Sequence, residues 1–90
     1  MNTILSIVIP CFNEDKSLED IILKCKFVTA NYPIQILLIN NGSNDGSSLI
    51  LSQIKQNHKL KVLHIKKNQG YGFGIKYGLR YCTSEYVGWT

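Results

Sequence analysis

Apolar residues in this chain come in short runs, and the runs alternate with stretches of helical spacing. Leu5-Ser6-Ile7-Val8-Ile9 reads as a strand. Leu18, Ile21, Ile22, Cys25 and Val28 then recur at intervals of 0, 3, 4, 7 and 10. That is one apolar helix face, which predicts a helix over 16–30, with Ser17 and Asp20 as a capping pattern. Pro33 marks its exit, and Ile34 to Ile39 is a nearly continuous apolar strand, as expected where both sheet faces are covered. Asp45 or Ser47 can cap a second helix, with Leu49, Ile50 and Ile54 turned inward. Residues 61–66 form a third strand, 70–82 a third helix and 86–90 a fourth strand. Gly70, Gly74 and Gly78 put three bare backbone positions on one face of that third helix. A glycine inside a helix costs up to about 1 kcal/mol against alanine, so close approach to the sheet or to a ligand should compensate.

The order β-α-β-α-β-α-β implies an α/β fold: a Rossmann-like open parallel sheet with right-handed crossovers. The fourth strand is expected beside the first, beyond a switch point. Pro10 is expected to end the first strand's ladder, and Trp89 to be core. Ninety residues make one small domain, and 44% hydrophobic with 18% charged residues is a globular composition. No apolar run approaches the roughly 20 residues that span a bilayer, and no signal peptide is visible. Three cysteines without Cys-x-x-Cys spacing argue against a disulfide scaffold or zinc site and fit a cytoplasmic chain. The net charge of +4 comes from lysines spread along the sequence. A solvated surface is the plain reading; attraction to phosphate groups or an anionic membrane face is the sharper one. Nothing points to nucleic acid.

Polar chemistry sits where strands end. In an open parallel sheet the carboxyl ends of all strands share one edge, and ligands bind there. After the first strand come Pro10, Phe12, Asn13 and Glu14, which offer an aromatic face, an amide and a carboxylate able to hold two sugar hydroxyls. The same residues also make an ordinary strand-to-helix loop. After the second strand, Asn40-Asn41-Gly42-Ser43-Asn44-Asp45-Gly46-Ser47 is turn and cap chemistry, but long for such a link. The Asn41 amide could read the imide edge of a pyrimidine. After the third, Lys66 and Lys67 precede a glycine-rich helix start, an anion site by charge and by bare N–H groups. The glycines miss the dinucleotide fingerprint, because positions 75 and 77 are Ile75 and Tyr77, and no Gly-Lys-Ser/Thr exists. His58 and His64 have no partners at metal-ligand spacing.

Four segments in order resemble the family 2 glycosyltransferases with the GT-A fold. Ser6 to Glu14 looks like the family's opening strand and Pro-x-aromatic-Asn-Glu motif. Ile39 to Ser47 looks like its second-strand motif, usually Val-Asp-Asp-Gly-Ser-x-Asp. Asn68-Gln69-Gly70-Tyr71-Gly72 with Gly78 looks like its third segment, and Glu85 to Thr90 like the strand before its Asp-x-Asp. The Gly-Tyr-Gly-Phe-Gly variant looks most like the polyprenyl-phosphate sugar transferase branch, of dolichyl-phosphate mannose synthase type.

The resemblance implies that residues 1–90 are a single partial domain, the nucleotide-sugar-binding N-terminal half of a GT-A fold. The implied reaction moves a sugar from a UDP- or GDP-sugar to a polyprenyl phosphate or a growing glycan. Pro10, Phe12, Asn13 and Glu14 would hold base and ribose. Asn40, Asn41 and Ser43 would lie at the base, and Lys67 and Gly70 on the diphosphate side. Asn40-Asn41 replaces the family's Asp-Asp, which removes a charge-assisted bond. The Asp-x-Asp is expected just after Thr90, so no metal ligand or catalytic residue is assigned within the chain. Mg²⁺ or Mn²⁺ is expected for the full-length enzyme, none for this chain alone, and turnover is not expected from it. Membrane association would come through a later part, at the cytoplasmic face. The alternative is a non-catalytic nucleotide-binding or scaffold domain of the same fold.

Overall fold

A computed structural model describes residues 3–12, 15–42 and 46–90. The elements are β1 (Leu5–Cys11), α1 (Asp15–Asn31), β2 (Ile34–Asn41), α2 (Ser47–Ser52), β3 (Leu60–Ile65), α3 (Tyr71–Leu79) and β4 (Tyr86–Trp89). The strands form one sheet in the order β3-β2-β1-β4, and every pair is parallel. The fourth strand lies beside the first, as the alternation of elements predicts.

Two apolar layers sandwich the sheet. Leu18, Ile22 and Cys25 of α1 and Leu51 of α2 pack on Ile36, Leu38, Leu60 and Val62. On the other face Tyr77 and Leu79 of α3 pack on Val8, Leu37, Ile39 and Ile65. Burial on both faces explains why β2 reads as an unbroken apolar run. With α1 and α2 on one face and α3 on the other, the winding reverses between β1 and β4. That reversal is the switch point of an open α/β sheet.

The glycine face of α3 is explained by this packing. A Cβ on Gly78 would lie 2.6 Å from Val8 Cγ1 and 2.9 Å from Ile39 Cδ1. One on Gly74 would lie 3.2 Å from Asn41 Nδ2 and 3.8 Å from Pro10 Cβ. The backbone of α3 therefore rides directly on β1 and β2. At the amino edge of the sheet, buried polar groups are paired with each other. Ser6 Oγ donates to Gln35 Oε1 at 2.6 Å, and the Thr83 N–H donates to the same oxygen at 3.1 Å.

Five expectations are corrected. Pro10 does not end β1; it pairs with Ile39 and the ladder continues to Cys11. Val8 C=O accepts from Thr90 N–H on the β4 side, and Pro10 shares the parity of Val8. Its missing N–H thus falls toward β4, just beyond the last β1–β4 pair at Val8 and Trp89, so Pro10 closes the ladder on that side and leaves the β2 side intact. Leu49 is not inward: α2 turns Ser47 and Leu51, four residues apart, to the core, so Leu49 is 66% exposed. Gly46, not a serine, holds the α2 N-cap position, and the Asp45 alternative lies outside the described residues. Trp89 is 57% exposed, because β4 is an edge strand and α3 packs over β1 and β2 instead. The Ser17–Asp20 pattern falls inside α1, which begins at Asp15.

Candidate functional site

The carboxyl edge of the sheet brings the strand-end segments together by register. Pro10 lies beside Ile39 and Cys11 beside Asn40, while Asn40 lies beside His64 and Asn41 beside Ile65. Because side chains alternate, neighbouring Asn40 and Asn41 must point to opposite faces.

Asn41 points to the α3 face, where it is 3% exposed. Its Nδ2 donates to the Gly70 carbonyl at 3.0 Å, just before α3 begins. Its Oδ1 is buried and has no hydrogen-bond partner among the described residues. The carbonyl demands a donor, so it fixes which way the amide is turned and leaves the acceptor unmatched. An unpaired buried acceptor costs about 1–3 kcal/mol, so this oxygen stands out against the paired polar groups around it.

The β3–α3 loop is pinned against β2. Gly42 adopts φ +72°, and a Cβ there would run into the backbone of Asn68 and lie 2.8 Å from Lys67 C. Only glycine suits that conformation and that approach. Asn68 Oδ1 accepts from Gly70 N–H at 2.7 Å, and Gly70 itself sits at φ +98°. These turns bring the first turn of α3 over Pro10 and Asn41. Gly70 and Gly72 are exposed, with open space where a Cβ would be. Lys66 and Lys67 are exposed at the same edge, and Phe12 projects past β1 at 42% exposure.

Asn40 serves the other face. Its Nδ2 donates to Ser48 Oγ at 3.0 Å and lies 2.9 Å from His64 Nδ1. This ties the start of α2 to the ends of β2 and β3. His64 has no metal-ligand spacing in the sequence, but period-two alternation and the parallel register place it on the face of Asn40. Pro10, Asn41 and Gly70 are thus brought into one cluster, with Lys67 and Phe12 at its rim. Asn40 is kept apart. Asn13, Glu14 and Ser43 lie outside the described residues. Gly42 and Asn68, quoted within motifs but given no role there, shape the site, and Gly74 is the close-approach position its helical spacing predicts. A glycine immediately after a strand was the available signal for Gly42.

No group of three or more His, Cys, Asp or Glu side chains is placed to hold a metal among the described residues. The described residues do not themselves make a site for the divalent ion that the resemblance implies. No helix among them is long and apolar enough to cross a membrane.

An open, doubly wound parallel sheet with glycine-shaped loops and a helix start at its carboxyl edge defines a Rossmann-like α/β class of protein. Within that class, residues 6–90 match the family model described as glycosyl transferase family 2. The chain belongs to that family. It is 29% identical over 84 residues to a poly-beta-1,6-N-acetyl-D-glucosamine synthase of Staphylococcus epidermidis, covering 92% of this chain and 20% of the synthase. It is 24% identical to the same-named synthase of Staphylococcus aureus strain COL over 86 residues, again 92% of this chain and 20% of the relative. The chain therefore spans about a fifth of the length of these curated relatives. In three dimensions it is similar to S. aureus TarS residues 1–349, with a TM-score of 0.74 and 20% identity. That match covers 98% of this chain and 27% of TarS. The fold is accordingly that of the GT-A glycosyltransferases.

Proposed function

We propose that this chain supplies the donor-nucleotide half of a glycosyltransferase that moves a sugar from a UDP- or GDP-sugar to an acceptor. Family membership over residues 6–90 and the edge built from Pro10, Asn41 and the α3 start support the reading. The observation that carries it is the lone acceptor on Asn41. Held by the Gly70 carbonyl, Asn41 offers Oδ1 and not Nδ2, so it recognises a base that presents a ring N–H. Uracil at N3 and guanine at N1 do so; cytosine presents an acceptor at N3. Phe12 stacks on the base, with Pro10, Asn13 and Glu14 around base and ribose and Ser43 beside them. The exposed N–H groups at the start of α3 and the Lys67 ammonium face the diphosphate. Asn40 contributes indirectly, by holding α2 against β3.

The acceptor is a growing glycan, in keeping with relatives named for a polysaccharide, or a polyprenyl phosphate, the choice favoured by the Gly-Tyr-Gly-Phe-Gly segment. The metal-binding and acceptor half belongs to other parts of the full-length enzyme, working at the cytoplasmic face of the membrane. Calorimetric titration with UDP, GDP and CDP tests the donor assignment. UDP or GDP should bind, CDP at least about tenfold more weakly, and Asn41→Ala should erase the difference, since one neutral hydrogen bond is worth about 1 kcal/mol and a buried mismatch more. Equal affinity for all three, or binding by none, refutes the assignment.

A further inference from the structure

The opposite edge of the sheet carries a second candidate site, unrelated to the strand carboxyl ends. A cavity of about 470 Å³ lies between the end of α1 and the loop that enters β3. Lys26 of α1, Lys55 after α2, and His58 and Lys59 before β3 line it. Its floor includes Thr29 and Leu60, 7% and 2% exposed. None of the described residues lining it is acidic. The ion pair between Lys24 and Asp20 involves neither Lys26 nor Lys55.

The wall is rigid. Asn57 Oδ1 accepts from the N–H groups of Lys59 and Leu60 at 2.8 and 3.0 Å. Gln35 Nε2 donates to the His58 carbonyl at 2.9 Å, tying the loop to β2. Lys59 Nζ donates to the Tyr32 carbonyl at 2.8 Å, which fixes the ammonium and leaves it two further donors. Two segments distant in sequence, α1 and the α2–β3 loop, thus bring three lysines to one concave surface with no acidic side chain among the described residues lining it. A concave wall of one sign focuses the field and concentrates ions of the opposite sign.

The geometry points to a binding site for a phosphate ester in this cavity, the phosphate against Lys26, Lys55 and Lys59 and the organic part over Leu60 and Thr29. It is separate from the nucleotide edge: β3 has six residues, so its two ends are roughly 20 Å apart. The phosphate could come from a soluble ester or from an anionic lipid headgroup, and the test separates them. The purified protein is titrated with glycerol 3-phosphate while backbone amide NMR shifts are followed. The shifts should saturate at Lys55–Leu60. Lys26→Ala with Lys55→Ala, both at exposed side chains, should weaken that binding about 20-fold or more, and the corresponding double arginine variant should retain it. Perturbation confined to Gly70–Phe73, or an unchanged affinity in the double alanine variant, overturns the proposal. In a second arm the protein is sedimented with phosphatidylglycerol or phosphatidylcholine vesicles. Binding to the anionic vesicles that the double alanine variant loses identifies a lipid source. Saturation by glycerol 3-phosphate with no such vesicle binding identifies a soluble ester.

Discussion

Substituting Gly78 by alanine sets two known effects against each other. Alanine in a helix interior is worth up to about 1 kcal/mol over glycine, so on propensity alone the variant would be more stable. The packing opposes this. The new methyl would lie 2.6 Å from Val8 Cγ1, 3.2 Å from Val8 Cγ2 and 2.9 Å from Ile39 Cδ1, where ordinary carbon contacts are about 3.5–4.0 Å. Ile39 Cδ1 is the far end of a flexible side chain and can swing away. Val8 cannot: it is β-branched, wholly buried, and sits on a strand paired on both sides. Relief therefore requires α3 to lift by about an ångström. Overpacking of this kind costs about 1–3 kcal/mol. The net expectation is a loss of about 1–2 kcal/mol.

The assay is thermal and urea unfolding of the purified protein, with Gly72→Ala as the internal control. Gly72 lies in the same helix with nothing within 4 Å of its would-be Cβ, so that variant should gain up to about 1 kcal/mol. For a domain of this size each kcal/mol moves Tm by roughly 4–8 °C, so the two variants should shift in opposite directions. If Gly78→Ala is stabilised as much as Gly72→Ala, α3 does not ride on Val8, and the account of the glycine face is wrong.

Other outcomes follow from the same structure. Gln35→Leu strands the Thr83 N–H and the His58 carbonyl together and leaves the Ser6 hydroxyl only Ser84; it should cost about 2–4 kcal/mol by urea unfolding, against under 1 kcal/mol for the exposed Gln53→Leu. Burial pushes the Cys25 thiol above its ordinary value. The unfolded chain then ionises first as pH rises, so stability is unaffected at neutral pH and declines above roughly pH 8.5. Cys25→Ala should flatten that alkaline decline in unfolding midpoints taken from pH 7 to 10, and an unchanged slope counts against it. Asn41→Asp places a carboxylate against the Gly70 carbonyl in a buried position, so its folded pKa should be raised. That variant should lose stability relative to the parent as pH rises from 4 to 7, whereas Gln69→Glu, exposed and just before the start of α3 where a negative charge is favoured, should not.

Much of the fold is legible in the sequence because the periods of two and of 3.6 alternate cleanly and the connections are short. The features that are hard to read are those that depend on what lies across the sheet. Leu49 and Leu51 are both leucines in a six-residue helix, and only the position of α1 selects Leu51 for the core. Trp89 reads as core by type, yet an edge strand bonded on one side offers it no cover. Pro10 reads as a terminator, but a parallel strand can carry a proline wherever its vacant N–H side meets no partner.

The pair Asn40-Asn41 shows the same limit at the candidate site and also how far physical reasoning carries past it. As a motif the two amides look like one unit that replaces two acids. Strand alternation separates them, and each then answers to its own neighbours. Asn40 is occupied by Ser48 and His64, partners 8 and 24 residues away that hold α2 to the sheet. Asn41 is half occupied, by a carbonyl at the start of α3 that takes its donor and leaves its acceptor buried and unmet. A carboxylate at position 41 could not donate to that carbonyl, so an amide is the side chain that anchors α3 while leaving one acceptor unpaired. The departure from the acidic motif is therefore coupled to the glycine face of α3. Gly74 lets the helix come close enough for the Gly70 carbonyl to meet Asn41, and Asn41 supplies the donor that this closeness demands.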